Sequence, residues 1–467
     1  MLFNKIEYLF FFIPIVFLLF FLSNRNYSKP TLIFASIFFY GWWNINYLFL
    51  IFFSIFINFF IYKILTKSEF NKKKLILFIG ISINIFMLII FKYLDFFIEN
   101  YNYLFSSNLK KLNLPFPLAI SFFTFQQIAF LVDSYDNEIN KFKFTNYFLF
   151  IFFFPQLIAG PICKYNHICP QFEKKNFSNI NFHNISTGIL ILLIGLFKKV
   201  VLADNLATIS SIGFADIDNL TFIDSWISLL CFTFQFYFDF SGYVDMATGS
   251  ALIFNVRLPI NFDSPFKAKS IKEFWQRWHI TLTNFLTFYI YVPILRSFTN
   301  INIITTSFVT LFVFFIAGIW HGPSWNFVMF GLMHGVAIVF NNIFSFKNII
   351  NDKIKWFFTF IYVSSSFVFF RSSSFEDAIN MFKSLFDISS IINFTSFHSI
   401  YDLNSYPFIR AVVILILSFY ICVNTRNSNI FLKEFRPNFK YLSYSIIGFV
   451  LSLWFMTNSV EFLYFKF

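Results

Sequence analysis

Apolar runs broken by short polar turns recur along the whole chain. Read against the roughly 20 apolar residues that a helix needs to cross the hydrocarbon, they predict spans near 6–22, 31–43, 47–65, 75–98, 114–132, 144–160, 185–203, 222–240, 303–320, 325–344, 356–370, 408–423 and 441–458. The stretches 242–256 and 271–295 fit less cleanly. The second opens on Trp275, Arg277, Trp278 and His279 before an apolar tail, and reads as a re-entrant or membrane-surface segment, because polar backbone at depth must be sheltered by protein. The pattern predicts an all-α polytopic membrane protein of about 11–13 spanning helices plus re-entrant segments. No polar stretch is long enough for a separate soluble domain, so residues 1–467 read as one membrane-embedded domain with its polar motifs concentrated in 121–335.

Composition sharpens this. The chain is 58% hydrophobic and only 12% charged, a balance outside the soluble range. Its 83 phenylalanines follow from AT-rich coding as much as from function. The net charge of +12 lies in short loops between spans, which is the cytoplasmic-loop bias and no sign of nucleic acid. The lysine-rich loop 66–74 and the basic loop 424–440 read as cytoplasmic. Counting spans from them places both termini outside. Lys5 and the run after it resemble a signal peptide, but Ser23-Asn24-Arg25-Asn26 gives no small-x-small cleavage site, so the run reads as a retained first span. Cys163, His167 and Cys169 cluster without the paired spacing of a closed zinc site, and no metal is expected.

The candidate chemistry lies between 235 and 335. Gln235, Asp239, Ser241-Gly242 and Asp245 interrupt an apolar run. The two carboxylates are about 120° apart on a helix, so they form no dyad, and each is expected to accept buried hydrogen bonds or to pair with a cation. Arg257, Lys267, Lys269, Lys272 and Arg277, against Asp263 and Glu273, form a basic patch that reads as a positive-inside loop, part of which suits the phosphates of an anionic carrier. Phe274-Trp-Gln-Arg-Trp-His279-Ile-Thr-Leu282 carries a histidine among Arg277 and two tryptophans. Gly318-Ile-Trp320-His321-Gly322-Pro323-Ser-Trp325 puts an imidazole where Pro323 must end a helix. An ionisable group kept at such a break is expected to have a chemical task, and a neutral imidazole can take a proton from a hydroxyl. His334 in the following helix reads as structural.

These stretches, with Ser121-Phe-Phe-Thr-Phe-Gln-Gln, Phe154-Pro-Gln-Leu-Ile-Ala-Gly-Pro-Ile162 and Phe238-Asp-Phe-Ser-Gly-Tyr-Val-Asp-Met-Ala247, resemble the membrane-bound O-acyltransferase family, in the bacterial branch that O-acetylates alginate and peptidoglycan and transfers D-alanine to teichoic acid. The resemblance implies helices ringed around a central tunnel. It also implies a catalytic His321, a second functional histidine at His279 and transfer of a short acyl group from a cytoplasmic thioester. Arg277, Lys272, Trp278 and Trp320 are then candidates for binding the donor, with acetyl-CoA the expected donor and no bound cofactor. The tail Glu461-Phe-Leu-Tyr464-Phe-Lys-Phe467 resembles an aromatic motif of that branch implicated as an acyl acceptor, which makes Tyr464 a possible acceptor. Because the motif is in the chain itself, the D-alanyl system is disfavoured. The expected setting is the bacterial cytoplasmic (inner) membrane, with a separate extracytoplasmic O-acetyltransferase as partner and cell-wall peptidoglycan as final acceptor. The alternatives are alginate or another exopolysaccharide as acceptor, or, from a different class, a polysaccharide or lipid-linked sugar flippase.

Overall fold

A computed structural model describes residues 1–139, 142–344, 351–389, 401, 406–456 and 462–463. Among these residues every regular element is a helix, and no strand occurs. Among the described residues five helices are long and apolar enough to cross a membrane: Asn46–Lys67, Lys72–Phe105, Phe182–Ala215, Ile303–His321 and Trp325–Ile343. The bent pair Phe408–Asn424 and Ser428–Glu434 makes a sixth if counted as one span, and Glu7–Leu22, Ile280–Arg296 and Phe439–Phe455 are shorter apolar helices. Large apolar side chains point outward along them, Phe49 at 74% and Ile304 at 75% exposure, as lipid-facing surface does.

Several expected spans are cut shorter than their apolar runs, for local reasons. The run at 114–132 becomes helical only at Ile120, because Pro115 and Pro117 precede it. The run at 144–160 breaks at Phe153 into Phe144–Phe152 and Phe154–Leu157, where Pro155 fits the first turn of the second piece but no helix interior. The opposite error occurs further on. The run expected to stop at 240 continues through Gly242 as one helix, Phe222–Ile253, of 32 residues.

The chain forms two compact units. The first comprises Met1–Leu193, Tyr243–Ile260 and Phe435–Ser443, and the second Ile194–Gly242, Asn261–Glu434 and Tyr444–Phe467. In the first, polar side chains join apolar helices. Asn58 and Asn84 donate to each other's amide oxygens at 3.1 and 2.7 Å, Tyr147 donates to Gln127 at 2.7 Å, and Tyr8 donates to Ser250 at 2.7 Å. Gly188 and Gly249 face each other so closely that a Cβ on Gly188 would lie 2.7 Å from the Gly249 carbonyl oxygen. Small residues at such crossings let backbones approach without an opposing side chain.

Glu173 gathers a polar cluster outside the spans, accepting from Lys29 at 2.6 Å, Lys143 at 2.5 Å and Asn146 at 2.8 Å. Burial pushes its carboxyl up, but the hydrogen bonds from Lys143, Lys29 and Asn146, with the Lys29 charge, outweigh that and hold it at about 2 instead of the ordinary 4.5. A depressed folded value stabilises the fold above the unfolded value. That contribution is lost as pH falls from about 4.5 through about 2. The Glu173→Gln protein is expected to lose this part of the acid dependence of its unfolding temperature, measured in detergent from pH 5 down.

The second unit is organised by a helical hairpin. Ile303–His321 opens on a capping box at Asn302. It ends where Gly322, extended at φ −178°, leads into Pro323. Ser324 then caps Trp325–Ile343 by accepting from the Asn326 amide at 3.2 Å. Gly318 and Gly331 pack the two helices backbone to backbone: a Cβ on Gly331 would lie 2.9 Å from the Gly318 Cα. The start of the second helix is tied down by Asn326, whose amide donates to the Ser372 and Ser374 carbonyls at 3.0 and 3.1 Å.

Candidate acyl-transfer site

The segment around His279 is broken at a single point. Ile271–Arg277 is capped by Ser270, and a new helix, Ile280–Leu286, starts after His279. His279 sits between them in the left-handed region at φ 43°, ψ 51°. A non-glycine residue held there costs about 1–3 kcal/mol, which the surroundings must enforce. Asn261 does so. Its carbonyl oxygen accepts from the Ile280 amide at 2.9 Å, and its side-chain oxygen from the Thr281 amide at 3.1 Å and the Thr281 hydroxyl at 2.8 Å.

The same Asn261 oxygen lies 3.2 Å from His279 Nδ1. A backbone N–H can only donate, so the Thr281 contact fixes which end of the Asn261 amide is the oxygen. Nδ1 of His279 therefore carries the proton, and in the neutral ring the lone pair is on Nε2. His279 is fully buried, with the Phe240 ring 4.9 Å and the Phe262 ring 6.4 Å from its own. Asn261→Ala is expected to release both the tautomer and the strained turn. It should reduce acyl transfer by about 10- to 100-fold while leaving the hairpin folded. Initial rates on purified protein, beside its far-ultraviolet circular dichroism, check this.

Trp320 joins the two histidines. Its ring centroid is 5.8 Å from that of His279 and 5.1 Å from that of His321, edge to face in both cases. His321 is the last residue of its helix and 4% exposed, walled by the rings of Phe370 at 5.2 Å, Phe330 at 5.6 Å and Phe327 at 6.4 Å. The expected His279, Trp320 and His321 thus form one cluster at two helix breaks. His334 is buried behind it and pairs with the Ser366 hydroxyl at 2.9 Å, the structural place expected for it.

The remaining candidates stand differently. Trp278 is 1% exposed and enclosed by rings that include Phe262 at 5.1 Å, Phe236 at 5.3 Å and Phe274 at 5.5 Å, so in this structure it reaches no solvent. Arg277 is occupied by Glu273, at 3.0 and 2.9 Å, and by the Asp263 carbonyl at 3.1 Å. Lys272, on the same short helix, is exposed. Tyr464 lies outside the described residues. Cys163, Cys169, Cys231 and Cys422 are buried free thiols, and among the described residues no group of three or more His, Cys, Asp or Glu is placed to hold a metal ion.

The carboxylate at 239 has the cation expected for one of the pair. Lys199 Nζ lies 2.5 Å from Asp239 and 2.8 Å from Asp204, all three side chains being at most 5% exposed. The backbone N–H of Leu463 donates to the other Asp239 oxygen at 2.8 Å. Neither Lys199 nor Asp204 stands out by spacing. The signal available was a charge inside the apolar run 185–203.

Two buried imidazoles at helix breaks thus flank one indole among the described residues of an all-helical apolar protein. The chain belongs to the membrane-bound O-acyltransferase family, whose model matches residues 116–348, and it is accordingly an acyltransferase. It is 40% identical over 427 residues to the peptidoglycan O-acetyltransferase of Helicobacter pylori, covering 84% of this chain and 81% of that one. It is 30% identical over 408 residues to the probable alginate O-acetylase AlgI of Pseudomonas aeruginosa, covering 84% and 76%. It is 28% identical over 251 residues to the teichoic acid D-alanyltransferase of Bacillus subtilis, covering 52% and 62%.

Proposed function

We propose that this chain is a single membrane-embedded domain that transfers an acetyl group from a cytoplasmic thioester, with acetyl-CoA as donor, for O-acetylation of cell-wall peptidoglycan outside the bacterial cytoplasmic membrane. The observation that carries the reading is the His279–Trp320–His321 cluster, with both imidazoles buried and flanking one indole. The similarity to the peptidoglycan enzyme supports the choice of acceptor.

In this reading His321 takes the proton of an acceptor hydroxyl as its oxygen attacks the thioester carbonyl carbon. The carbon–sulfur bond then breaks, and the proton passes to the leaving thiolate. His279, across Trp320 from His321, orients the reacting groups. Water-poor surroundings raise the effective concentration of the two reactants. Tyr464 is the proposed first acceptor, handing the group to a separate extracytoplasmic O-acetyltransferase, with both chain termini on that side. Lys272 and Arg277 meet the donor phosphates, Arg277 by exchanging its carboxylate partner.

Deleting the gene and measuring ester-linked acetate on purified cell-wall glycan tests the acceptor. Loss of that acetate is the expected result, and an unchanged content overturns it. The similarity to the alginate enzymes keeps an exopolysaccharide as the second acceptor, read in the same strain by ester-linked acetate on that polymer. A sugar flippase gains nothing from the histidine cluster.

A further inference from the structure

The cluster of Lys199, Asp204 and Asp239 holds two carboxylates against one ammonium, with none of the three side chains more than 5% exposed. In such buried surroundings hydrogen-bond donors to a carboxylate are worth more than in water. One donor comes from far along the chain: the Leu463 N–H, 2.8 Å from Asp239 Oδ2. Phe462 and Leu463 are themselves buried, at 2% and 7% exposure. The Phe462 ring lies 6.2 Å from that of Phe240, which in turn packs 4.9 Å from His279. Phe462 and Leu463 are therefore fastened one aromatic ring away from the histidine cluster.

We propose that the Lys199–Asp239 pair is a latch for the C-terminal segment, and that Asp239 is a positioning residue for acyl transfer. Lys199, 2.5 Å away, aims the Asp239 carboxylate. The carboxylate captures a main-chain N–H, which any residue but proline supplies at position 463, so the latch reads the path of the backbone and not a side chain. Phe462 adds an apolar contact that fixes the direction in which the chain enters. The consequence for transfer rests on the acyl-transfer reading above. The latch itself does not.

Hydrogen–deuterium exchange of the full-length protein in detergent tests the latch without reference to activity. In the wild type the peptide containing residues 462 and 463 should exchange slowly. In Asp239→Ala it should exchange about 100-fold faster while the helix Trp325–Ile343 keeps its protection. Leu463→Pro removes the donor and leaves the ion cluster untouched, so it serves even if Asp239→Ala does not accumulate. It should free Phe462 and lower the turnover rate by about tenfold with the KM for the thioester donor unchanged. Fast exchange of that peptide in the wild type, or equal protection in folded Asp239→Ala, overturns the latch. Full turnover in Leu463→Pro overturns the positioning role. A wild type that protects the peptide yet transfers no acetyl group would refute the functional reading and leave the latch standing.

Discussion

His321→Ala leaves a folded protein that no longer transfers an acyl group, with initial rates at or below about a thousandth of wild type. Removing a general base costs about 10²–10⁴-fold, and the surroundings of His321 place it at the demanding end of that range. It is buried at 4% exposure and walled by Trp320, Phe327, Phe330 and Phe370, so bulk water is poorly placed to take over the proton. The fold should survive because the imidazole ends its helix instead of bridging it. The hairpin is held by Asn302, Ser324 and Asn326 and by the Gly318–Gly331 crossing, none of which involves the ring. Purified wild type and variant are compared by release of free thiol from acetyl-CoA, with unfolding temperature as the control. A variant that unfolds within a few degrees of wild type and still transfers the group would remove His321 from the mechanism. His321→Gln, which keeps polarity and volume without a comparable base, should be as inactive.

How much of this was legible in the sequence follows from the range over which each signal acts. His321 was legible because Gly322-Pro323 forces a helix end beside it, a local rule. The pairing of Asp239 was legible as a need, since a buried carboxylate demands a partner, but the partner was not. Lys199 lies on another helix and looks like part of an apolar run whose boundary falls nearby. Asn261 was invisible for the same reason. Its contribution is one oxygen shared between His279 and Thr281, and no composition or period marks such a residue. Trp278 shows the converse: a tryptophan beside a functional histidine invites a binding role, yet tertiary packing puts it inside a ring of phenylalanines. The helix Phe222–Ile253 was cut short on paper because Asp239, Ser241 and Gly242 look like a break. With Asp239 paired to Lys199, and Gly242 set where a Cβ would lie 2.7 Å from the Gly195 carbonyl oxygen, those residues are packing features of a continuous helix.

Lys199→Met should be the most destabilising single change outside the glycine crossings. The substitution keeps the length of the side chain and removes the ammonium that pairs with both Asp204 and Asp239. Breaking a buried pair by deleting one partner costs about 3–5 kcal/mol, because the remaining charge stays desolvated. Here two carboxylates are left, at 5% and 2% exposure, so the upper end of that range applies. The expected result is sharply reduced accumulation in the membrane and a lower unfolding temperature in detergent. The charge argument separates from a packing argument in the triple variant Lys199→Met, Asp204→Asn, Asp239→Asn. It alters more side chains yet should recover most of the stability, since a neutral cluster of similar volume is often no worse than a buried ion pair. If Lys199→Met proves as stable as wild type, the Lys199 ammonium does not support Asp204 and Asp239, and the latch loses the pair it rests on. If the triple variant recovers stability while its C-terminal peptide exchanges freely, the buried charges serve to hold the tail, and helix packing in the second unit does not need them.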